Sequence, residues 1–179
     1  MRILGIDPGT ITMGYGIIEV NGEEATMVDC AALDTPQSST IGERLNYLHQ
    51  RLLEIISLYK PDVVAVEQPF MAKNVKATLA IGMAQGIALL AAASKGIPIY
   101  EYTPAQVKQR VANYGGSSKE QVQEMVKIQL RLPHVPEPSD AADALAVALC
   151  HLQETHLDSL LAKLRGNDSR SSGQTTDDR

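Results

Sequence analysis

Hydrophobic positions follow two rhythms along this chain. Between residues 2 and 33, three apolar runs, Arg2 to Ile6, Tyr15 to Val20 and Thr26 to Leu33, are separated by Gly- or Asn-containing turns such as Asn21-Gly22. They predict three strands in an antiparallel meander. From Ile41 the spacing becomes helical: Ile41, Leu45, Leu48, Leu52, Ile55 and Tyr59 follow a Thr40/Glu43 capping-box pattern, and Pro61 ends the run. Asp62 to Val66 is continuously apolar, as a strand covered on both faces requires, and Glu67 closes it. A small-residue helix is expected from Val75 to Lys95, stopped by Gly96. Ile97 to Tyr102 predicts a fifth strand, and Thr103-Pro104 opens a short helix. After the Gly115-Gly116 break, Ser117 and Glu120 form a further capping box for a helix reaching Leu132. Ser139 caps a last helix, Asp140 to Leu164.

The order βββαβαβααα predicts an α/β domain: a mixed five-stranded sheet, its first three strands antiparallel, flanked by helices on both sides. It is similar to the ribonuclease-H-like fold. One domain is expected over residues 1–164, and the polar segment 165–179, rich in Ser, Asp and Thr, is expected to be a disordered tail.

Composition adds a core and a compartment. A chain of 179 residues that is 44% hydrophobic has enough apolar material for one substantial core. Cys30 and Cys150 lie far apart without ligand-like spacing, which suits a reducing compartment. The N-terminal MRILGID enters a strand directly, with no secretory leader, so a cytoplasmic location is expected. The most apolar stretch, Thr78 to Ala93, is interrupted by Gln85 and falls short of the roughly 20 residues that span a bilayer. It reads as a buried helix, and no membrane partner is expected.

The formal net charge of −5 hides a basic middle, for eight Lys and Arg face three Glu between residues 73 and 131. Binding responds to local potential, so this segment can cover a phosphate backbone. An ordinary solvated surface would carry the same charges.

Four acids are the candidate chemistry. Asp7 ends an apolar strand before the Pro8-Gly9-Thr10 turn, from which its carboxylate is expected to project openly. A turn aspartate bonding its own backbone is the plainer reading. Glu67 follows Val-Val-Ala-Val at the edge of a core strand, where an unpaired charge is costly. Asp140 and Asp143 share one face of a first helical turn, which the helix dipole alone would also favour. Together they offer four oxygen donors suited to Mg²⁺ or Mn²⁺. A carboxylate-only site of this kind points to two-metal phosphodiester hydrolysis. His134 and His151 are read as incidental. Phe70, the only phenylalanine, follows Glu67-Gln68-Pro69 and precedes Lys73 and Lys76. It is either core or a base-stacking group beside the acids.

Four blocks, GIDPGTITMGYGII, VVAVEQPFMAKN, YTPAQVKQRV and SDAADALAVALCH, resemble bacterial RuvC, the Holliday-junction resolvase family, over about residues 1 to 155. The resemblance implies a crossover junction endodeoxyribonuclease active in DNA recombination and repair. It implies that Asp7, Glu67, Asp140 and Asp143 bind the catalytic metals, two Mg²⁺ per site with Mn²⁺ a substitute. It further implies that Phe70 lies at the junction crossover and that Lys108 and Lys119 contact the cleaved strand or stabilise the transition state. Lys73 and Lys76 join these as expected DNA contacts. A homodimer with two active sites is implied, working with the RuvA and RuvB branch-migration proteins on four-way junction DNA. Gly82 and Gly86, in the small-residue helix, suit either a dimer contact or internal packing. Two rivals remain: the Gly5-to-Thr10 segment also fits the phosphate cradle of actin-like ATPases, and a nuclease of the same fold could act on RNA or other branched DNA.

Overall fold

The computed structural model of the chain describes residues 1–69 and 74–171, without the side chains of residues 160 and 163–171. Its elements run β1 (Arg2–Asp7), β2 (Thr12–Asn21), β3 (Glu24–Asp34), α1 (Ile41–Tyr59), β4 (Val63–Glu67), α2 (Val75–Ser94), β5 (Ile99–Tyr102), α3 (Pro104–Ala112), α4 (Lys119–Gln129) and α5 (Ser139–Ser171). The five strands form one sheet in the order β3-β2-β1-β4-β5. β1 pairs antiparallel with β2, and β2 with β3. β4 lies parallel to both β1 and β5. The mixed sheet expected from the sequence is therefore the one observed.

Strand alternation splits the core into two layers. Leu4, Ile6, Val64 and Val66 face α1 and α2, whose Leu48, Leu52, Ile55, Ala84 and Ala88 cover them. Ile3, Val63 and Ala65 face α3, α4 and α5, with Val107, Val111, Val122, Val126, Leu145 and Leu149. Successive strand side chains point to opposite faces, so Asp7 and Glu67 share the second layer's face. That face is the one α5 lies on.

Glycines set how closely α5 approaches. A Cβ on Gly5 would stand 2.1 Å from the Ala144 carbonyl oxygen, and one on Gly14 would stand 2.0 Å from that of Asp140. Both positions need a residue without a side chain, because helix backbone occupies that space. The strand reading began at Tyr15 and so held Gly16 but not Gly14; β2 starts at Thr12 and carries both through its interior.

Several boundaries differ from the sequence reading for identifiable reasons. Ser117 and Ser118 both fit a capping box. Ser118 caps α4, bonded reciprocally with Gln121, while the buried Ser117 donates its backbone N–H to the Tyr114 carbonyl at 3.0 Å. β5 begins at Ile99 rather than Ile97, because Pro98 has no N–H to give the ladder. Ser139 is the first helical residue of α5, not its cap, and the Pro138 carbonyl accepts from Ala141 and Ala142. α5 continues past Leu164 to Ser171, and residues 172–179 of the expected tail lie outside the described residues.

The helix read as buried is half so. α2 buries Ala84, Ala88, Ala91 and Ala92 but exposes Val75 (77%), Leu79 (59%), Met83 (37%) and Leu90 (54%) on its other side. Among the described residues it is the one helix long and apolar enough, by length and composition, to cross a membrane. Gly82 and Gly86 meet nothing within 4 Å of a Cβ, so internal packing does not explain them.

Candidate active site

Parallel pairing brings β1 and β4 to one edge of the sheet together. The ladder pairs Ile6 with Val66, so Asp7 and Glu67 lie side by side one residue further. α5 starts over the same edge, its Asp140 backbone against Gly14, which in turn pairs with Asp7 across β1 and β2. The turn after Asp7 is tied down as well. A Cβ on Gly9 would meet the Thr12 carbonyl at 2.0 Å, and Thr35 Oγ1 donates to the Thr10 carbonyl at 2.9 Å.

Asp7 does not project openly, as its turn suggests. Burial, then the charges of Glu67 and Asp143, a hydrogen bond with Glu67 and the charge of Asp140 push its pKa up to about 8. Glu67 is also raised, mainly by burial and the Asp143 charge, against the hydrogen bond with Asp7 and the charges of Lys119 and Lys108. The adjoining carboxylates thus hold one proton between them near neutrality. The four acids act on one another although they come from β1, β4 and α5.

Cations face them. Lys119 Nζ lies 2.5 Å from Asp143 Oδ2. Burial opposes the charge of Lys119, but the bond to Asp143 and the charges of Asp140 and Asp7 outweigh it and raise its pKa. Gln123 Nε2 donates to Asp143 Oδ1 at 3.0 Å. Glu67, Lys108, Lys119, Asp143, Pro104 and Val107 line a crevice of about 240 Å³ together with Val122 and Ala146. The two lysines implied by the resemblance therefore stand in the same crevice as two of the acids.

The remaining candidates lie elsewhere. Lys76 is exposed in the first turn of α2, where its backbone N–H donates to Asn74 Oδ1. Phe70 and Lys73 lie outside the described residues. His134 is exposed, and His151 is buried with its Nδ1 bonded to Tyr102 Oη at 2.7 Å. Neither histidine lines the crevice. Cys30 and Cys150 are free thiols. Gln123, which fixes Asp143, was not legible in advance. Its only signal is its place four residues after Lys119 on α4, one turn along the same face.

The donor set suits a hard divalent cation. It offers carboxylate oxygens alone, and the proton shared by Asp7 and Glu67 marks unrelieved negative charge that a cation would neutralise. Among the described residues, no three acidic, histidine or cysteine side chains are drawn together tightly enough to enclose an ion as they stand. Lys119 supplies positive charge to one of the four acids, Asp143.

The family model for the crossover junction endodeoxyribonuclease RuvC matches residues 3–151. The chain belongs to the RuvC family. It is 57% identical over 151 residues to the crossover junction endodeoxyribonuclease RuvC of Dehalococcoides mccartyi, covering 84% of this chain and 90% of that one. The Chloroflexus aggregans RuvC is 54% identical over 151 residues, with 84% and 92% covered. Among solved structures, Thermus thermophilus RuvC in complex with a Holliday junction substrate superposes with a TM-score of 0.83 at 37% identity, covering 88% of this chain and 96% of that one. The yeast mitochondrial Holliday junction resolvase Ydc2 shares the fold, with a TM-score of 0.62 at 15% identity over 90% and 85% of the two chains. The family match spans β1 to the middle of α5, and so contains every element that brings the acids together.

Proposed function

We infer that this RuvC-family chain resolves Holliday junctions, cutting two opposed strands of four-way junction DNA symmetrically by metal-dependent phosphodiester hydrolysis. The observation that carries the reading is the mutual interaction of Asp7, Glu67, Asp140 and Asp143, brought together from three separate elements, two of which, Glu67 and Asp143, line a crevice with Lys108 and Lys119. The family membership and the junction-bound Thermus thermophilus relative supply the substrate class.

Asp7, Glu67, Asp140 and Asp143 would hold two Mg²⁺ ions, with Mn²⁺ a substitute. Bound there, the cations supply an activated water and neutralise charge at the leaving oxygen. The rest of the work belongs to the chain's own groups. To hold the ions Asp7 and Glu67 would both have to be ionised, since a carboxylate serves as a ligand only when deprotonated. Gln123 keeps Asp143 oriented through its amide. Lys119, released from Asp143, presents its ammonium to the phosphate oxygens, and Lys108 presents a second from the crevice wall. Phe70, Lys73 and Lys76 are assigned to the DNA beyond the crevice, Phe70 stacking at the crossover.

The enzyme acts in the cytoplasm as a homodimer alongside RuvA and RuvB. The exposed Val75, Leu79, Met83 and Leu90 give α2 an apolar outer face, and a second copy of the chain is the occupant proposed for it.

Cleavage of a synthetic mobile four-way junction, compared with duplex and RNA–DNA hybrid in Mg²⁺ and in EDTA, tests the reading. Paired nicks in the junction with Mg²⁺ alone are expected. Preference for the hybrid would overturn it.

A further inference from the structure

One turn of α5, outside the acidic cluster, reaches three points around α3, the helix that carries Lys108. His151 Nδ1 shares a hydrogen bond of 2.7 Å with Tyr102 Oη, between side chains only 2% and 7% exposed. Tyr102 ends β5. It pairs with Glu67 across the sheet, accepts from the Gln68 N–H at 2.8 Å, and immediately precedes Thr103, the cap of α3. Three residues along α5, Glu154 receives a two-pronged bond from Arg110 of α3, with Nε at 2.7 Å and Nη2 at 3.1 Å. Between them, Gln153 donates to Gln129 Oε1 at 2.8 Å, and Gln129 donates to the Val111 carbonyl at 2.8 Å, at the far end of α3. The segment His151–Glu154 is thus tied to the residue before the cap of α3 and, through Arg110 and the Val111 carbonyl, to its last turn.

α3 depends on such ties. At nine residues it is too short to be stable alone, and it hangs from a four-residue strand at the sheet's edge. Apolar packing through Val107 and Val111 holds it against the core, but contacts between smooth aliphatic surfaces tolerate sliding. Directional polar bonds at both ends of the helix do not. Burial also pushes the His151 pKa down, so its bond to Tyr102 is made by a neutral ring and adds no buried charge.

We propose that His151, Gln153 and Glu154 are positioning residues that fix α3 against α5, and thereby set Lys108 over the acidic cluster for cleavage. None of the three lines the acidic crevice, and the proposal rests on the junction-nuclease reading above. Lys108 and Glu67 line the same crevice, so a slip of α3 moves the ammonium relative to the acids directly. Displacements of about 1 Å can cost up to a hundredfold in rate.

The test is single-turnover cleavage of a mobile junction by the full chain in Mg²⁺, with junction affinity measured separately in EDTA. His151→Leu is expected to slow cleavage about tenfold while junction affinity stays within about twofold. His151→Asn, whose amide can still meet Tyr102 Oη, should recover most of the rate. In a Lys108→Gln background, which already lacks the positioned ammonium, His151→Leu should cost less than about twofold more. Tyr102→Phe removes one oxygen and should repeat the pattern if His151→Leu folds poorly. A wild-type rate in both His151→Leu and Tyr102→Phe overturns the proposal. So does His151→Asn behaving like His151→Leu, or a full tenfold loss in the Lys108→Gln background, which would mean that His151 acts through general packing. A wild-type chain that leaves junctions uncut overturns the nuclease reading and this proposal with it. Cutting by the wild type with additive losses overturns this one alone.

Discussion

Burial and neighbouring acids raise the pKa of both Asp7 and Glu67, and this makes the site's pH behaviour readable at the level of single atoms. The pKa of Asp7 is about 8 in the folded chain against 3.8 ordinarily, so the native state binds the proton more tightly than the unfolded chain does. The resulting stabilisation is complete below pH 4 and is lost as pH rises through about 8. In EDTA, this part of the stability should therefore fall between pH 4 and pH 8. Asp7→Asn, which cannot ionise, should remove the fall and exceed the wild type at pH 8.5 by roughly 1.4 kcal/mol or more, the equivalent of one pKa unit. Urea unfolding at a series of pH values checks this, and identical curves for the two proteins would refute the shared proton. In the proposed mechanism the same substitution also removes a metal ligand. It should abolish junction cleavage in Mg²⁺ while leaving junction binding intact, because phosphate contacts come from the basic residues and not from Asp7. Gel-shift and cleavage assays on one preparation separate the two effects.

At the scale of elements, the decisive contact is between α5 and the glycine face of β1 and β2. Gly5→Ala would force a Cβ to within 2.1 Å of the Ala144 carbonyl and 2.8 Å of the Ala148 nitrogen, both backbone atoms that cannot turn aside. The helix must lift, taking Asp140 and Asp143 away from Asp7. Gly5→Ala should cost about 1–3 kcal/mol of stability, as overpacking does, and depress cleavage further than that loss explains. Urea unfolding with cleavage at a temperature where the variant stays folded measures both. The apolar rhythm made the strands and helices legible in the sequence, and the capping boxes at Thr40 and Thr103 located two helix starts. The acids were legible as strand ends and a first helical turn. What the sequence withheld depends on three dimensions. Gly14 falls outside the predicted strand until a helix lies on it, and Ser117 and Ser118 offer equivalent caps until one is buried. His151, read as incidental, turns out to bond across 49 residues to a tyrosine on another element.

For the whole molecule, the question is how one crevice per chain serves a junction that must be cut twice. A junction nicked once is not resolved, so two sites must act within one encounter, and the homodimer proposed above would place them symmetrically. In that proposal α2 supplies the surface. Val75, Leu79, Met83 and Leu90 recur along its outer side, while Gly82 and Gly86 leave that side shallow enough for a second backbone to approach. Leu79→Glu puts a charge in the middle of this face at a position 59% exposed in the single chain, so it should leave the fold intact and fail only where two copies meet. Sedimentation equilibrium should show the wild type as a dimer and Leu79→Glu as a monomer, with unchanged circular dichroism. On a supercoiled plasmid bearing a cruciform, the wild type should yield linear product from paired cuts, and the variant nicked circles from single ones. Linear product from a monomeric Leu79→Glu would mean that one chain can cut both strands in turn, and the two-fold account would fall.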